Sequence, residues 1–272
     1  MHNVLAIMGS PRKGDTYHLT QKIEATMSGL GEVEFDYLWL RDADLRICRG
    51  CYGCLERGEW HCPLDDDRAE IEQRMLDADG VIFASPVYAL SMTALMKNLL
   101  DRLAYTMHRP RFFEQKALIV VSAGAAGIKE TQEAIAAVRY MGFDMSGGRV
   151  GLEMLPRPWT QAEQRKMHVE TQRAARVFHD ALDRQRRSSP TFMETAYFRI
   201  QQAMFEVNRE NQPADYEYFA ERGWLDRSRR WYVNVPVNPF YDLAARMLGR
   251  LVRRRVERRQ HALEEQAERR EE

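Results

Sequence analysis

The sequence predicts a doubly wound α/β protein in which a five-stranded parallel sheet is followed by a helical C-terminal extension. Two observations predict the sheet: short apolar runs recur along the first part of the chain, and a helix-like stretch follows each of them. Strands buried on both faces of a parallel sheet need such runs, because helices cover both faces. A third observation, a break in this alternation after Arg187, predicts the extension.

The strands are predicted where apolar and β-branched residues follow one another without helical spacing. They are Val4 to Met8, Val33 to Leu40, Gly80 to Ser85, Ala117 to Ser122 and Arg149 to Leu155. The helices are predicted where apolar residues recur at intervals of three or four. They are Thr16 to Leu30, Asp66 to Ala78, Ser91 to Leu103, Lys129 to Met141 and Thr160 to Arg187. Together these segments predict one domain over residues 1–187.

Residues 188–272 predict a helical extension that serves packing or oligomerisation. Aromatic residues and methionines at helical spacing predict an amphipathic helix from Thr191 to Asn208. A short helix ends near Gly223, and a final helix begins at Pro239. Its stretch of residues 246–259 contains seven Arg and one Glu. Such a run could contact a membrane surface or an acidic partner, but we favour a solvated or inter-subunit helix.

The composition gives no sign of a highly charged partner. Forty Lys and Arg balance 40 Asp and Glu, so no net field draws the chain towards nucleic acid or a membrane. The opening residues MHNVLAIMGS lack the pattern of a secretory signal. The longest apolar run, residues 117–128, is shorter than the about 20 residues that cross a bilayer. We therefore expect a cytoplasmic protein without an integral membrane segment.

The turn after the first strand, GSPRKGDT at residues 9–16, predicts an anion site. A helix that begins at such a turn points its first N–H groups towards it, which suits a phosphate. The hydroxyls of Ser10 and Thr16 can donate hydrogen bonds, Gly14 permits close approach of the backbone, and Arg12 adds charge. The turn is neither a nucleotide P-loop nor a dinucleotide fingerprint. It could also be an ordinary turn with Thr16 as the N-cap.

Two further loops are expected at the same edge of the sheet, because ligands of open parallel sheets bind outside the carboxyl ends of the strands. ASPVYALS follows the third strand, and SAGAAG follows the fourth. Pro86 and Tyr88 of the first loop could contact a flat ring, although Tyr88 could equally pack in the core. Residues of the second loop would form the opposite wall: Ser122, Gly124 and Gly127.

These residues resemble the flavodoxin-like NAD(P)H-dependent FMN reductases and, among them, the iron–sulfur flavoproteins. The resemblance covers about residues 3–155 and is carried by GSPRKGDT, by DADGVIFASPVYALSMTALMKNLLDR, by HRPRFF at residues 108–113 and by the compact cysteine loop. It implies FMN, with its phosphate on Ser10, Arg12, Gly14, Asp15 and Thr16. It implies an isoalloxazine ring beside Pro86, Val87, Tyr88 and residues 122–127.

One position departs from the family, which usually has Asn before the Thr of the phosphate loop, where this chain has Asp15. A carboxylate facing a phosphate would be repelled, so we expect Asp15 to offer its backbone N–H and to turn its side chain away. The resemblance also implies flavin-centred chemistry with NAD(P)H as co-substrate and no acid–base residue. His108, Arg109 and Arg111 could line the flavin mouth or hold the end of a helix.

The segment ICRGCYGCLERGEWHCPLDDD, residues 47–67, contains every cysteine of the chain in a C-x2-C-x2-C-x7-C pattern. In a reducing compartment such a group is more typical of a metal or catalytic site than of disulfides. The spacing favours a [4Fe–4S] cluster. Zinc, a redox-active disulfide and cysteines without a metal stay open, and His61 is a further possible ligand for either metal. The four candidate ligands are Cys48, Cys51, Cys54 and Cys62.

The leading hypothesis is an FMN-dependent oxidoreductase in which a [4Fe–4S] cluster exchanges electrons with FMN and an acceptor, either a small molecule or a protein. In the resembling iron–sulfur flavoproteins the cluster often serves the FMN of a neighbouring subunit, which implies a homo-oligomer. One alternative is a cluster-free NAD(P)H:FMN or quinone reductase. Another is a flavodoxin-like electron carrier or redox-sensing module without turnover of its own.

Overall fold

The computed structural model describes residues 1–154 and 158–271, without the side chains of residues 261 and 263–271. The described chain divides into two compact units. Residues 1–49 and 64–188 form the first, which we call the sheet unit. Residues 50–63 and 189–272 are assigned to the second, the helical unit.

The sheet unit contains five parallel strands in the order β2-β1-β3-β4-β5. This order is that of flavodoxin-like doubly wound folds, so the predicted fold class is confirmed. The predicted strands appear with their ends shifted by one or two residues, and the predicted end at Leu155 lies outside the described residues. The strands are β1 (His2–Met8), β2 (Val33–Trp39), β3 (Gly80–Pro86), β4 (Lys116–Ala123) and β5 (Arg149–Glu153).

The described α-helices follow the predicted order, with two short additions, α2 and α5. They are α1 (Asp15–Ser28), α2 (Gly53–Glu56), α3 (Arg68–Asp77), α4 (Ala94–Arg102), α5 (Tyr105–His108), α6 (Ile128–Ile135), α7 (Gln161–Asp183), α8 (Phe192–Val207), α9 (Pro213–Glu221) and α10 (Pro239–Glu271).

The predicted helix from Lys129 to Met141 differs from the observed one, because α6 gives way to a 3₁₀ helix at Ala136–Met141. Such tightening is common where a helix ends. Here the guanidinium of Arg139 donates to the carbonyl oxygen of Ala136 at 2.8 Å, and that oxygen is one of those an α-helix would use. The sequence pattern alone does not show that the side chain of Arg139 takes the place of a backbone donor to this oxygen.

The core of the sheet unit lies on both faces of the sheet. All eight residues of β4 are buried, and six of the seven in β3 are. On one face α1 and α7 pack together, with Leu19 and Ile23 from α1 and Phe178 from α7 in the same apolar cluster. Burial on both faces explains why these strands are nearly continuous apolar runs.

The helical unit is formed by α8, α9 and α10 with the segment of residues 50–63. Its longest helices, α8 and α10, pack along each other, and α2 packs against α9. Thr191 and Glu194 begin α8 with a reciprocal capping box. Phe198 and Tyr232 lie in an aromatic core with ring centroids 4.6 Å apart. Within the described part of the chain, no helix combines the length and apolarity that crossing a membrane requires.

Candidate functional site

Three loops meet at the carboxyl edge of the sheet, and backbone contacts join them. The N–H of Gly9, after β1, donates to the carbonyl oxygen of Ala84 in β3 at 2.8 Å. The N–H of Val87, after β3, donates to the carbonyl oxygen of Ser122 in β4 at 2.8 Å. The sheet thus brings together the loops that the sequence analysis singled out after the first, third and fourth strands.

The loop after β1 leads into α1 with an open helix N-terminus. Gly14 is the N-cap, and no side chain caps the first N–H groups of the helix. Thr16 is therefore not the N-cap: it lies in the first turn, and its Oγ1 is 2.6 Å from Oγ of Ser122. Ser10 is buried, and its hydroxyl donates to the carbonyl oxygen of Arg12 at 2.7 Å. The open N–H groups and the positive end of the helix dipole suit an anion.

The charged side chains of this loop lie at the surface. Arg12 and Asp15 are both exposed. Arg41, which the sequence analysis did not single out, donates from Nη1 to the carbonyl oxygen of Pro11 at 3.0 Å. Its guanidinium also lies 4.8 Å from the ring centre of Trp39. Arg41 therefore fixes the loop from the end of β2, a contact between positions 30 residues apart that no local pattern reveals.

The loop after β3 contains a strained two-residue turn. Ala89 and Leu90 have φ of 48° and 63°, in the left-handed region that favours glycine. Tyr88 and Ser91 close the turn with two backbone hydrogen bonds of 2.8 and 3.0 Å. Each such conformation costs about 1–3 kcal/mol and is typical of functional sites. The turn leaves the side chain of Tyr88 48% exposed at the crevice edge.

The loop after β4 contacts the loop after β3. Ser122 is buried at the end of the strand, whereas Gly124 is exposed. Gly127 has φ of +89°, and a Cβ there would lie 2.7 Å from Cγ1 of Val87 and 3.0 Å from Cα of Leu90. Only glycine combines this conformation with so close an approach. The predicted ring-binding residues of both loops therefore form neighbouring parts of one surface.

The candidate residues after α4 are His108, Arg109 and Arg111, and they differ in burial and in contacts. His108 ends α5 and is half-buried, but Arg109 is only 2% exposed. Arg111 donates from Nη1 to Oε1 of Glu72 at 2.8 Å. The hydroxyl of Tyr105 donates to the same carboxylate, and burial followed by the charge of Glu72 raises the pKa of Tyr105 well above its usual value. Arg111 thus belongs to a polar network with Glu72 and Tyr105.

Cys48 follows a segment of the sheet unit that α4 holds in place. Oδ1 of Asn98 accepts from the N–H of Cys48 at 3.1 Å. Arg102 donates to the carbonyl oxygen of Arg46 at 3.0 Å and to Oδ2 of Asp66 at 2.7 Å. Both members of the Arg102–Asp66 pair are almost fully buried. The residues that perform these roles lie in MKNLLDR and PLDDD, but no local sequence pattern reveals the roles.

The other three cysteines belong to the helical unit. Tyr52 has φ of 59° as the N-cap of α2, and Cys54 lies within that helix. Cys62 follows a 3₁₀ helix, Glu59–His61. Cys48 and Cys51 are exposed, while Cys54 and Cys62 are half-buried.

The donor set has the chemistry of an iron–sulfur site, four thiols at compact spacing. Among the side chains that the structure describes, no three histidine, cysteine or acidic groups are arranged to hold a metal ion. The open end of α1 and the strained turn fit a phosphate-bearing cofactor with a flat ring.

Comparison with known proteins finds relatives that carry the name iron–sulfur flavoprotein. An iron–sulfur flavoprotein of Methanocaldococcus jannaschii is 40% identical over 100 residues, 36% of this chain and 50% of that protein. One from Archaeoglobus fulgidus is 27% identical over 225 residues, 81% of this chain and 99% of that protein. The chain thus spans about half the length of the former relative and nearly all of the latter.

Likeness to a solved structure supports the fold alone. The crystal structure of RosB with a bound 8-demethyl-8-formylriboflavin-5'-phosphate intermediate matches with a TM-score of 0.53 and 12% identity. It covers 88% of this chain and 92% of RosB. A family model described as NADPH-dependent FMN reductase matches residues 2–148, which include β1 to β4 and the three loops at their carboxyl ends. Because this match covers more than half of the chain, the chain belongs to the family of NADPH-dependent FMN reductases.

Proposed function

We propose that this chain is an FMN-dependent oxidoreductase that takes electrons from NADH or NADPH. The observation that carries the proposal is the uncapped N-terminus of α1, which opens at the carboxyl edge of the sheet beside two further loops. Helix N-termini in this position favour a phosphate. Membership of the NADPH-dependent FMN reductase family supports the same cofactor.

In this proposal the first loop binds the phosphate and the other two hold the ring. Bound FMN would supply hydride acceptance and onward electron transfer, which the amino-acid side chains cannot provide. The chain's own residues bind and orient the cofactor. The proposed phosphate ligands are Ser10, Arg12, Gly14, Asp15 and Thr16. The proposed ring contacts are Pro86, Val87, Tyr88, Ser122, Gly124 and Gly127.

The side chains around the ring contribute position rather than acid–base chemistry. The strained turn at Ala89 and Leu90 keeps Tyr88 exposed at the crevice, where its ring can contact a flat ligand. We propose that His108, which is half-buried, stands at the mouth of the site. Arg109 is only 2% exposed, so we propose that it supports the residues at this mouth and does not contact the ligand directly.

A pair of matched variants on α1 tests the phosphate site. Thr16→Val removes the hydroxyl that lies 2.6 Å from Oγ of Ser122, at the open helix end. Thr20→Val removes the same group one turn later, where the hydroxyl donates to the carbonyl oxygen of Thr16 at 2.9 Å. We expect Thr16→Val to bind FMN about tenfold more weakly, a loss of ~1.4 kcal/mol, and Thr20→Val to bind it nearly as the parent does.

FMN affinity is measured by fluorescence titration of the cofactor-free protein, and turnover by oxidation of NADH and NADPH with added acceptors. A parent protein that fails to take up FMN would contradict the cofactor proposal. Equal losses in the two variants would contradict the phosphate site at α1. Bound FMN without NAD(P)H oxidation would instead favour an electron carrier that depends on a separate reductase.

We further propose that Cys48, Cys51, Cys54 and Cys62 hold a [4Fe–4S] cluster that exchanges electrons with the flavin site. Two observations support this: the C-x2-C-x2-C-x7-C spacing, and relatives that carry the name iron–sulfur flavoprotein. The proposal places the protein in the cytoplasm, where thiols stay reduced. When bound, the cluster would supply a one-electron site, and the final acceptor would be a small molecule or a protein.

Metal analysis after anaerobic purification tests the cluster. We expect about four irons and four acid-labile sulfides per chain, in line with a four-cysteine cubane. Each single Cys→Ser variant should lose iron, while its FMN affinity should stay at the parent value. Zinc in place of iron, or no metal after reconstitution, would contradict the cluster.

A cluster-free NAD(P)H:FMN or quinone reductase is the second candidate function. One observation favours it: the family model that matches residues 2–148 is described as NADPH-dependent FMN reductase. In that case all four Cys→Ser variants would oxidise NAD(P)H at the parent rate. If the cysteines hold a cluster, turnover with one-electron acceptors should fall in these variants.

We also propose that residues 1–187 serve as the FMN-binding domain and residues 188–272 as an extension for packing and self-association, with the protein acting as a homo-oligomer. Exposed apolar side chains on the extension support this role.

A further inference from the structure

A basic pocket lies between α8 and α10 of the helical unit. It has a volume of about 400 Å³. Its charged lining consists of Arg199, Arg227, Arg246, Arg250, Arg253 and Glu206, and we call it the arginine pocket.

The two helices bring these side chains together because they approach closely at Gly249. A Cβ at Gly249 would lie 2.9 Å from the carbonyl oxygen of Arg199, so α10 rests directly on the backbone of α8. Arg246, Arg250 and Arg253 follow at intervals of four and three residues, which places them on one face of α10. That face forms the wall of the pocket opposite α8.

The carboxylates near the pocket do not balance its arginines. Asp242 pairs with Arg199, and with Arg246 at 3.0 Å. Glu206 pairs with Arg227 at 3.3 Å and also with Arg253.

Arg253 has a second partner, Glu257, at 2.7 Å. Four of the five pocket arginines therefore share three carboxylates, which leaves the five with a formal surplus of two positive charges. Within the described residues Arg250 forms no ion pair.

Holding these positive charges close together costs free energy, because part of the pocket is shielded from water. The side chain of Arg199 is only 4% exposed. Burial lowers the pKa of Arg199, the charges of Arg246 and Arg230 lower it further, and Asp242 only partly offsets them. Like charges held this close repel one another unless an anion lies between them.

We propose that the arginine pocket binds an anion with two or more phosphate groups. Guanidinium groups donate paired hydrogen bonds that match phosphate oxygens, and several of them arranged around one cavity suit a multiply charged ligand. Among the described residues that line the pocket none is aromatic, so recognition relies on the phosphates rather than on stacking against a base. The site lies wholly within the helical unit and does not depend on the proposed flavin chemistry.

Binding of tripolyphosphate to the full-length protein tests the proposal. Arg250→Gln removes the pocket arginine that has no ion pair, and Arg255→Gln is its matched control. Both arginines are exposed on α10, and both changes remove one positive charge, but Arg255 does not line the pocket. By calorimetry we expect saturable one-to-one binding to the parent protein, at least tenfold weaker binding to Arg250→Gln and less than a twofold change in Arg255→Gln.

Thermal unfolding gives a second measurement. Tripolyphosphate should raise the melting temperature of the parent and of Arg255→Gln, with little effect on Arg250→Gln. The ligand-free melting temperature of Arg250→Gln should equal or exceed that of the parent, because repulsion is relieved. Absence of saturable binding, or equal weakening in both variants, would overturn the proposal.

A lipid headgroup could supply the same phosphate chemistry as a soluble ligand. Vesicles of phosphatidylcholine with and without a bisphosphorylated phosphoinositide separate these sources. If the ligand is soluble, tripolyphosphate binds and neither vesicle co-sediments with the protein. If it is a lipid, only phosphoinositide vesicles co-sediment, and Arg250→Gln but not Arg255→Gln abolishes this. Equal co-sedimentation of both variants with anionic vesicles would reflect diffuse attraction and would also overturn the proposal.

Discussion

Gly127 occupies a position where a side chain would be unfavourable for two reasons. Its φ is +89°, and an added Cβ would lie 2.7 Å from Val87. We expect Gly127→Ala to lower the free energy of unfolding by about 1–3 kcal/mol, because the left-handed conformation and the contact both resist a methyl group. We also expect weaker FMN binding, since the substitution displaces the loop that carries Tyr88. Chemical denaturation and FMN titration measure the two effects.

Gly124→Ala is the matched control, three residues earlier in the same loop. An added Cβ at Gly124 meets no atom within 4 Å, and its φ is not in the left-handed region. Its stability should stay within about 0.5 kcal/mol of the parent. If both variants lose the same stability, the contact between the loops after β3 and β4 is not what makes Gly127 necessary.

The buried carboxylate of Asp144 is expected to make the stability of the protein sensitive to acid. Burial alone would raise the pKa of Asp144, but N–H donation from Ser188 and Ser146 and the charges of Arg187 and Lys116 hold it below its usual value. A carboxyl with a depressed folded pKa contributes stability above its unfolded pKa, and this contribution is lost as the pH falls through the folded value.

Asp144→Asn should therefore lower the free energy of unfolding by about 2 kcal/mol at pH 7. The difference from the parent should shrink as the pH falls below about 4, where the unfolded carboxyl becomes protonated. Asp77→Asn, at an exposed position of α3, is the control and should change little at either pH. Urea denaturation at several pH values measures both, and a gap that widens on acidification would refute the linkage.

The sequence patterns predicted which loops lie at the same edge of the sheet but not how their side chains pair. Ser10, Thr16 and Ser122 were singled out as hydroxyl residues near strand ends, and the structure does place them at one edge. The hydrogen bond between Thr16 and Ser122 joins positions 106 residues apart, so no local pattern contains it. The positive φ values of Ala89 and Leu90 are equally hidden, because neither residue type prefers that conformation.

Thr93, the N-cap of α4, connects this helix to the candidate site. Thr93 is 2% exposed and caps α4 by accepting from the N–H of Met96. Its hydroxyl donates to the carbonyl oxygen of Gly9, in the loop after β1, at 2.6 Å.

Thr93→Val should therefore cost about 2 kcal/mol, because a buried N–H and a buried carbonyl lose their partner together. Thr160→Val at the exposed N-cap of α7 should cost about 1 kcal/mol or less. Equal losses measured by chemical denaturation would show that the bond to Gly9 adds nothing to the cap.

The strands were predictable because burial on both faces of the sheet demands long apolar runs. The short elements α2 and α5 were not predictable, because they span four residues each and are too short for helical periodicity. The helical extension was predictable from its aromatic spacing, but the arginine pocket was not. Its residues come from α8, α10 and the intervening segment, and only the packing at Gly249 brings them together.

In a single chain, α10 exposes a stripe of apolar side chains to solvent. Phe240, Leu243, Met247 and Leu251 follow one another at intervals of three and four residues and are each at least half exposed. Soluble monomers rarely expose so many large apolar side chains in one patch. We expect a second copy of the chain to cover this stripe.

The double variant Leu243→Glu with Met247→Glu should therefore shift the protein to monomers, as measured by light scattering over a range of concentrations. Val169→Glu introduces one such charge at an exposed apolar position of α7 and should leave the oligomer intact. A parent protein that stays monomeric at tens of micromolar would contradict this use of the stripe.

The helical unit draws on two distant parts of the chain, since α2 near the cysteines packs against α9. This separation sets the order of events during synthesis. At about 5–20 residues per second, the roughly 150 residues between Pro63 and Pro213 take about 8–30 s to translate. Throughout that interval residues 50–63 have emerged, or are emerging, without the helix they pack against. Three of the four thiols can therefore reach their final surroundings only after α9 has been translated, so a metal that needs those surroundings can bind only after that point.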